Sequence, residues 1–315
     1  MNNLVAEFLK IAKFFILWFE NKDLLLAKII VKYPLINNKI FPIKNSKLYQ
    51  LPELNIKISL EKHLFLIKSY SLILHLIENT NISFSIDNEN EVLVDIKNIK
   101  VYVSTFEDIY ILKEIFVDGI YDLNVNNTCY VIDIGMNVCI ASLYFSNMKN
   151  IKKVFGYEPF YRTYKQGLKN IALNPQLKNK IETHNYGLGD DEKDLLLDYN
   201  FECKASIGIT GITSGKISDD VTREEIHISD VNIIINRLYE ENNDIDIVAK
   251  IDCEGSEYEI ISSLAKCNNL EKIKVLMIEW HERGPDEIIK TLTTAGYVTF
   301  SLKTNNRIGM IYASK

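Results

Sequence analysis

The sequence has no surplus of positive charge. Its 36 Lys and Arg are outnumbered by 42 Asp and Glu, for a net charge of −6, so no global field draws the chain to nucleic acid. Its five cysteines (Cys129, Cys139, Cys203, Cys253, Cys267) form no CxxC pair and no metal-ligand spacing. An odd, scattered set of this kind reads as free thiols in a reducing compartment, mostly small buried hydrophobes. The chain also lacks an uninterrupted apolar run of the roughly 20 residues that a membrane span needs. The nearest approach, LVAEFLKIAKFFILWF (4–19), is broken by Glu7, Lys10 and Lys13 at helical spacing. It reads as an amphipathic helix that packs on its own protein or on a partner, with a membrane surface as the lesser alternative. No secretory signal, internal repeat or low-complexity linker is visible, and the expectation is a cytoplasmic protein without a freely flexible hinge.

What is present is ordinary for a globular chain: 47% hydrophobic and 25% charged over 315 residues. That length suits a catalytic domain with an added N-terminal unit. Residues 1–98 form the expected extension, with helix-like runs at 4–20 and 60–78 around a poorly patterned stretch, then strand-like ISFSID (82–87) and EVLVDI (91–96). VYVS follows as a strand and FEDIYILKEIF as a helix capped by Thr105 or Ser104. From about 128, strands and helices alternate through YVIDIG, VCIASLYFSNM, KVFGYEP, RTYKQGLKNIALN and KIETHNYGLG. An irregular segment is expected over about 190–225. Alternation resumes with DIVAKIDCEGSE, EYEIISSLA, KVLMIEWHE and PDEIIKTLTTAG, and the chain ends on the hairpin YVTFSL–KTNN–RIGMIYAS. This predicts an α/β domain at 99–315, a doubly wound, mostly parallel sheet with a C-terminal antiparallel hairpin. That ending favours the Rossmann-like methyltransferase variant over a plain dinucleotide-binding domain.

The first strand of that domain ends in Asp133, and Gly135 opens a turn into a helix, the plan of a cofactor cradle. The second strand ends at Glu158, 25 residues after Asp133, near the spacing at which a carboxylate meets a ribose. The glycines are missing afterwards: the turn reads G-M-N-V-C-I. It is too bulky for close approach of a pyrophosphate, which Asp133 would also repel, whereas a sulfonium and an ammonium would be attracted.

The segments FEDIYILKEIFVDGIY, VIDIGMN, VFGYEP, LKNIALN, YGLGD, VAKIDCEGSEYEII and LMIEWHE resemble, in order, the FkbM family of S-adenosylmethionine-dependent methyltransferases. KIDCEGSE is the most specific of them. The resemblance covers roughly two-thirds of the chain and does not reach the first hundred residues. It implies a class I methyltransferase fold, S-adenosylmethionine as cofactor, and acceptor hydroxyls on sugars or glycosylated metabolites. Carried over by position, Asp133, Gly135, Met136 and Asn137 would hold the amino-acid end of the cofactor, Glu158 and Pro159 its ribose, and Tyr186 and Gly187 would lie near its adenine, with Asp252 close by. Cys139 departs from the family, which usually has glycine there, and Met136 stands where Ala is common. Cys139 is expected at negative φ, one turn into the helix, where it fits with little strain; at positive φ, or in close contact with the methionine portion, it would cost affinity.

Asp252 ends the fourth strand, with Glu254 and Glu257 just after it, and Glu279, Trp280 and His281 end the fifth. Adjacent parallel strands would bring them to one rim. A base there would take the acceptor's proton. His281 is the group whose ordinary pKa lies near neutrality, and Glu254 is the other choice. Lys250 is placed to pair with the acids. A divalent metal between Asp252 and Glu279 is conceivable, since hard cations take carboxylate oxygens, but nothing in the spacing demands it. Trp280, Tyr258, Phe160 and Tyr161 are candidates for a sugar-stacking wall, and 201–220 for a lid, part of the acceptor site or an exposed insertion. The leading expectation is an O-methyltransferase for a sugar or glycoconjugate precursor such as a surface polysaccharide, with residues 1–98 serving homo-oligomerisation, acceptor recognition or docking to a glycan-assembly complex. The alternatives are a catalytically inactive methyltransferase fold that binds a partner in glycan assembly, motivated by Cys139 and Met136, and a nicotinamide-dependent enzyme.

Overall fold

The computed structural model describes residues 2–208, 211–212, 221–241 and 244–315. The chain divides into two compact units, 1–98 with 102–113, and 99–101 with 114–315.

The first unit begins with helices Asn2–Asn21 and Leu24–Lys32. The poorly patterned stretch after them holds a small antiparallel sheet of Phe41–Pro42, Leu48–Leu51 and Ile56–Ser59. Helices Leu64–Lys68 and Tyr70–Asn79 follow, then the antiparallel pair Ile82–Ile86 and Val92–Ile96. Helix Phe106–Lys113 starts on a reciprocal cap. The Thr105 hydroxyl accepts the Asp108 amide at 3.2 Å, and the Asp108 carboxylate accepts the amides of Ser104 and Thr105.

The second unit is built on a seven-stranded sheet. We number its strands β1 (Cys129–Ile134), β2 (Ile151–Tyr157), β3 (Ile181–His184), β4 (Gly187–Gly189), β5 (Lys193–Tyr199), β6 (Thr222–Asp230), β7 (Asp246–Ile251), β8 (Ile273–His281), β9 (Val298–Lys303) and β10 (Ile308–Ser314). The large sheet runs β9-β10-β8-β7-β1-β2-β3. All its pairings are parallel except those of β10, which is antiparallel to both β8 and β9. This is the class I methyltransferase form of the Rossmann-like sheet, with the last strand slotted backwards between its neighbours. β1 is buried at all six positions, as a central strand covered on both faces must be. The covering helices are α1 (Ile140–Ser146), α2 (Tyr161–Ala172), α3 (Val231–Glu241), α4 (Glu257–Lys266) and α5 (Asp286–Thr294). α2 buries Thr163, Gly167, Asn170 and Ile171, the i, i+4, i+7, i+8 stripe of an amphipathic helix.

The stretch expected to be irregular is partly ordered. β5 and β6 pair antiparallel over seven positions, and β4 joins β6 in parallel. β5 hides its alternation behind three consecutive leucines, of which Leu196 points outward, 61% exposed. Of the suggested lid at 201–220, residues 209–210 and 213–220 lie outside the described residues. Strand order reverses between β1 and β7, so their carboxyl ends frame the crevice where such sheets place ligands.

Candidate active site

The turn after β1 is held by its own protein at every amide. Gly135 and Met136 donate to the Tyr157 carbonyl, and Asn137 donates to Glu158 Oε2 at 3.0 Å. Val138 donates to Asn137 Oδ1 and Cys139 to the Met136 carbonyl. A pyrophosphate cradle needs such amides free, so this turn is not one, and the nicotinamide alternative loses its footing. Gly135 has φ +78°, and a Cβ there would overlap the Asp252 carbonyl oxygen. Its freedom lets the β1 and β7 loops cross.

Cys139 corrects the expectation of negative φ. It sits at φ 72°, ψ 18°, in the left-handed region, as the residue before α1. For a non-glycine residue this costs about 1–2 kcal/mol. Its side chain is fully buried, and Gly167 of α2 leaves it room: a Cβ at 167 would come within 3.3 Å of the Cys139 Cβ. Met136 is likewise buried, over Gly156 of β2, where a Cβ would collide with its sulfur. Both bulky side chains are therefore packed against β2 and α2.

Beneath the turn lies a buried ion cluster. β1–β7 register sets Asp133 beside Lys250. Lys250 Nζ lies 3.1 Å from Asp133 Oδ1 and 3.5 Å from Asp252 Oδ2, and donates to the Gly135 carbonyl at 2.6 Å. Burial pulls the Lys250 pKa down, but the two carboxylates outweigh it and hold the ammonium above its ordinary value. Asp133 is fully buried and also accepts from Ser142 Oγ at 2.5 Å. Paired with Lys250, it lies beneath the turn, closed off from the crevice.

Glu158 is buried at the end of β2, with Oε1 accepting the Phe160 amide at 3.0 Å and Oε2 that of Asn137. Burial pushes it up to about 7 against those two amides. Each oxygen keeps an acceptor site, and a carboxylate so poorly solvated gains from two hydroxyl donors, which a ribose diol supplies. Asn185 Nδ2 donates to the carbonyls of Glu158 and Pro159 and pins this loop. Tyr186 is half-buried, its ring 5.5 Å from Tyr157 and 5.4 Å from His184, while Gly187 is buried against Ile228. The residues thus fit S-adenosylmethionine: a diol-seeking carboxylate at one end and acids suited to a cation at the other.

At the rim, Asp252, Glu279 and His281 present ligand atoms within 4.8 Å of one another, a spacing that would also admit a cation. His281 Nδ1 is 3.0 Å from Glu257 Oε1, and Nε2 is 3.5 Å from Glu254 Oε1. Glu257, fully buried at the start of α4, also accepts the amides of Cys253 and Gly255. Burial alone would lower His281; its bond to Glu257 and the charges of Glu254, Glu257 and Asp252 instead hold it at about 10. At neutral pH it is an imidazolium, so the expected base is already protonated. Glu279 is also raised, pushed well above its ordinary value by burial and by Asp252 and Glu114, with His281 opposing.

Sequence reasoning assigned no role to Tyr121, although its motif FVDGIY was visible. Tyr121 is buried and donates to Asp252 Oδ2 at 3.3 Å. Glu257 was placed at the rim but not beneath His281. Of the aromatic wall, Trp280, Tyr258 and Phe160 are core, and only Tyr161 is exposed. The described end of the suggested lid does reach the site, since a Cβ on Gly208 would overlap the Glu254 carbonyl oxygen.

A sequence model of the methyltransferase FkbM domain matches residues 133–299. Methyltransferase sdnD of Sordaria araneosa is 22% identical over 217 residues, 61% of this chain and 83% of that protein. Among solved structures, methyltransferase FkbM of Methylobacillus flagellatus KT is similar at 12% identity, covering 79% of this chain and 59% of that one, with a TM-score of 0.40. A human methyltransferase 10 domain containing protein is similar at 13% identity, covering 79% and 95%, also with a TM-score of 0.40. The domain match runs from the acid under the turn to the far edge of the sheet and takes in more than half of the chain, which therefore belongs to the FkbM family of methyltransferases, with S-adenosylmethionine as methyl donor.

Proposed function

We propose that the protein is an O-methyltransferase acting on a hydroxyl of a sugar or glycoconjugate precursor in the reducing cytoplasm. The observation that carries this reading is the convergence of Asp252, Glu279 and His281 at the carboxyl ends of β7 and β8. Carboxylates beside an imidazolium offer both acceptors and a donor to a polyhydroxylated molecule. The five cysteines are free, and among the described residues no helix is long and apolar enough to cross a membrane. The acidic rim and the net charge of −6 disfavour nucleic acid as the acceptor.

S-adenosylmethionine, when bound, supplies an electrophilic methyl group. Glu158 would hold its ribose, Asn137 and the Gly135 turn would lie along its amino-acid end, and Asp252 would face its positive charge. His281 donates a hydrogen bond to the acceptor and fixes its orientation, and Glu257 fixes His281. Glu279 removes the hydroxyl proton. In its ionised form it is a stronger proton acceptor than an ordinary carboxylate, because burial and the Asp252 charge raise its pKa. The reading of an inactive fold rested on Met136 and Cys139 crowding the cofactor; the packing of Met136 over Gly156 and of Cys139 against Gly167 favours an active one.

The test is transfer of a labelled methyl group to a panel of sugar and sugar-nucleotide acceptors, beside a Glu279→Gln variant. Methylation at oxygen is expected, with a loss of about 10²–10⁴-fold in the variant while S-adenosylhomocysteine still binds. Transfer to amines but to no hydroxyl would sink the proposal. Dialysis against a chelator is expected to leave the rate unchanged, because the rim's cation is its own imidazolium.

A further inference from the structure

The first helix of the N-terminal unit carries an apolar face that its own fold leaves uncovered. Within Asn2–Asn21, Leu17 is buried, whereas Ile11, Phe15, Ile16, Trp18 and Phe19 are exposed, Phe19 to 72%. Positions 11, 15, 18 and 19 fall on one side of a helix at 100° per residue, away from Leu17. The rings of Phe15, Trp18 and Phe19 run side by side, with centroids 6.2 and 5.3 Å apart. Leu24 and Leu25, at the start of the next helix, extend the exposed apolar surface.

The charge around this face is opposite in sign to that of the whole chain. Residues 10–33 contain Lys10, Lys13, Lys22, Lys28 and Lys32 against Glu20 and Asp23, five positive and two negative, in a protein whose net charge is −6. All five lysines are exposed. Asp23 is engaged locally, accepting the Leu26 amide at 2.9 Å and the Tyr49 hydroxyl at 2.7 Å.

At 100° per residue Lys10 lies about 80° round the helix from Trp18, at the border of this face, and Lys22 follows at its C-terminal end, while Lys13 lies on the far side beside Leu17. An exposed aromatic face with ammonium groups at its border is the pattern of a helix that lies in the plane of a bilayer, with rings at the level of the headgroups and ammonium groups reaching the phosphates. A second copy of the chain would bring two segments of net positive charge together, whereas an anionic lipid surface complements that charge. Lys10 and Lys13 in mid-helix prevent the segment from crossing. We infer that the Ile11–Phe15–Trp18–Phe19 face docks flat on an anionic phospholipid surface. This inference does not depend on the acceptor proposed above.

The test is co-sedimentation of the full-length protein with phosphatidylcholine vesicles, with and without phosphatidylglycerol, alongside light scattering. Binding is expected on phosphatidylglycerol vesicles and is expected to weaken with salt. Phe15→Ser with Phe19→Ser should reduce partitioning by at least about tenfold. Lys10→Glu with Lys22→Glu should abolish the preference for anionic lipid. Both pairs are exposed, and unchanged thermal unfolding and S-adenosylhomocysteine binding would confirm intact folding. Equal or absent binding to the two vesicle types overturns the inference. So does a dimer that the Phe variant dissociates in a protein that ignores vesicles, which would assign the face to a second copy.

Discussion

Glu158 and His281 show how single residues set the chemistry of this site. Glu158 is held at about 7 by burial, so the ligand-free fold keeps its proton after the unfolded chain has released it. Below the ordinary carboxylate value both states are protonated and nothing is lost. As pH rises from there through about 7, the ligand-free protein should lose stability on the order of 3 kcal/mol. Denaturant titrations should show this slope, reduced in Glu158→Gln. Ribose hydroxyls favour the ionised form, so S-adenosylhomocysteine affinity should rise up to about tenfold per pH unit until about 7 and then level off. Calorimetry with Glu158→Gln should give a flat profile. His281 works in the opposite sense: held at about 10, it keeps its proton through neutrality and loses it above that value. If its imidazolium orients the acceptor, kcat/KM should fall as pH passes about 10, and His281→Asn should remove that limb while lowering the rate. The acids and the histidine were visible as residue types at strand ends. Their protonation was not, because it depends on Glu257, Glu254 and Asp252, which only folding brings to the imidazole.

At the scale of elements, the turn between β1 and α1 is a fit between bulky and absent side chains. Met136 lies over Gly156, and Cys139 lies against Gly167. Gly156→Ala should therefore destabilise the protein by about 1–3 kcal/mol through overpacking. Met136→Ala in the same chain should recover most of that loss, a coupling that chemical denaturation of the four variants would measure. Additive effects would mean that the two residues do not share one space. Cys139 was legible as an oddity in a glycine position. Its φ of 72° was not, because a negative φ would have suited the same letter. The compensating Gly167 lies on a different helix, 28 residues along the chain. β5 escaped notice for a related reason: its leucines break the two-residue alternation that marks a strand, and only its partner β6 shows which of them face inward.

For the whole molecule, chain order and spatial order diverge at the C-terminal end of the sheet. β10 is last in sequence but lies between β8 and β9, where it buries Met310, Ile311 and Ala313. Ending the chain after Lys303 would open β8 and strand β9 without a partner. Burial of Met310 and Ile311 alone contributes roughly 3–6 kcal/mol, against a total stability of about 5–15 kcal/mol for an ordinary domain. The truncated protein should be insoluble or lose its cooperative unfolding transition, as circular dichroism on heating would show. The hairpin signal KTNN between two strand-like runs was readable at once. The insertion of β10 into the sheet followed from the alternating pattern only through the class of fold it implied.

The sequence by itself determined the order of strands and helices in the seven-stranded sheet, the acids at its strand ends and the family. These follow from local periodicity and from motifs whose residues are neighbours in the chain. Tertiary structure alone decided that the Gly135 turn spends all its amides internally, that Lys250 neutralises Asp133 from below, that Trp280 and Tyr258 belong to the core, and that His281 carries a proton. Each of these depends on the distance between groups far apart in sequence. Burial and Coulomb interaction depend on that distance, which a linear string of residues does not contain.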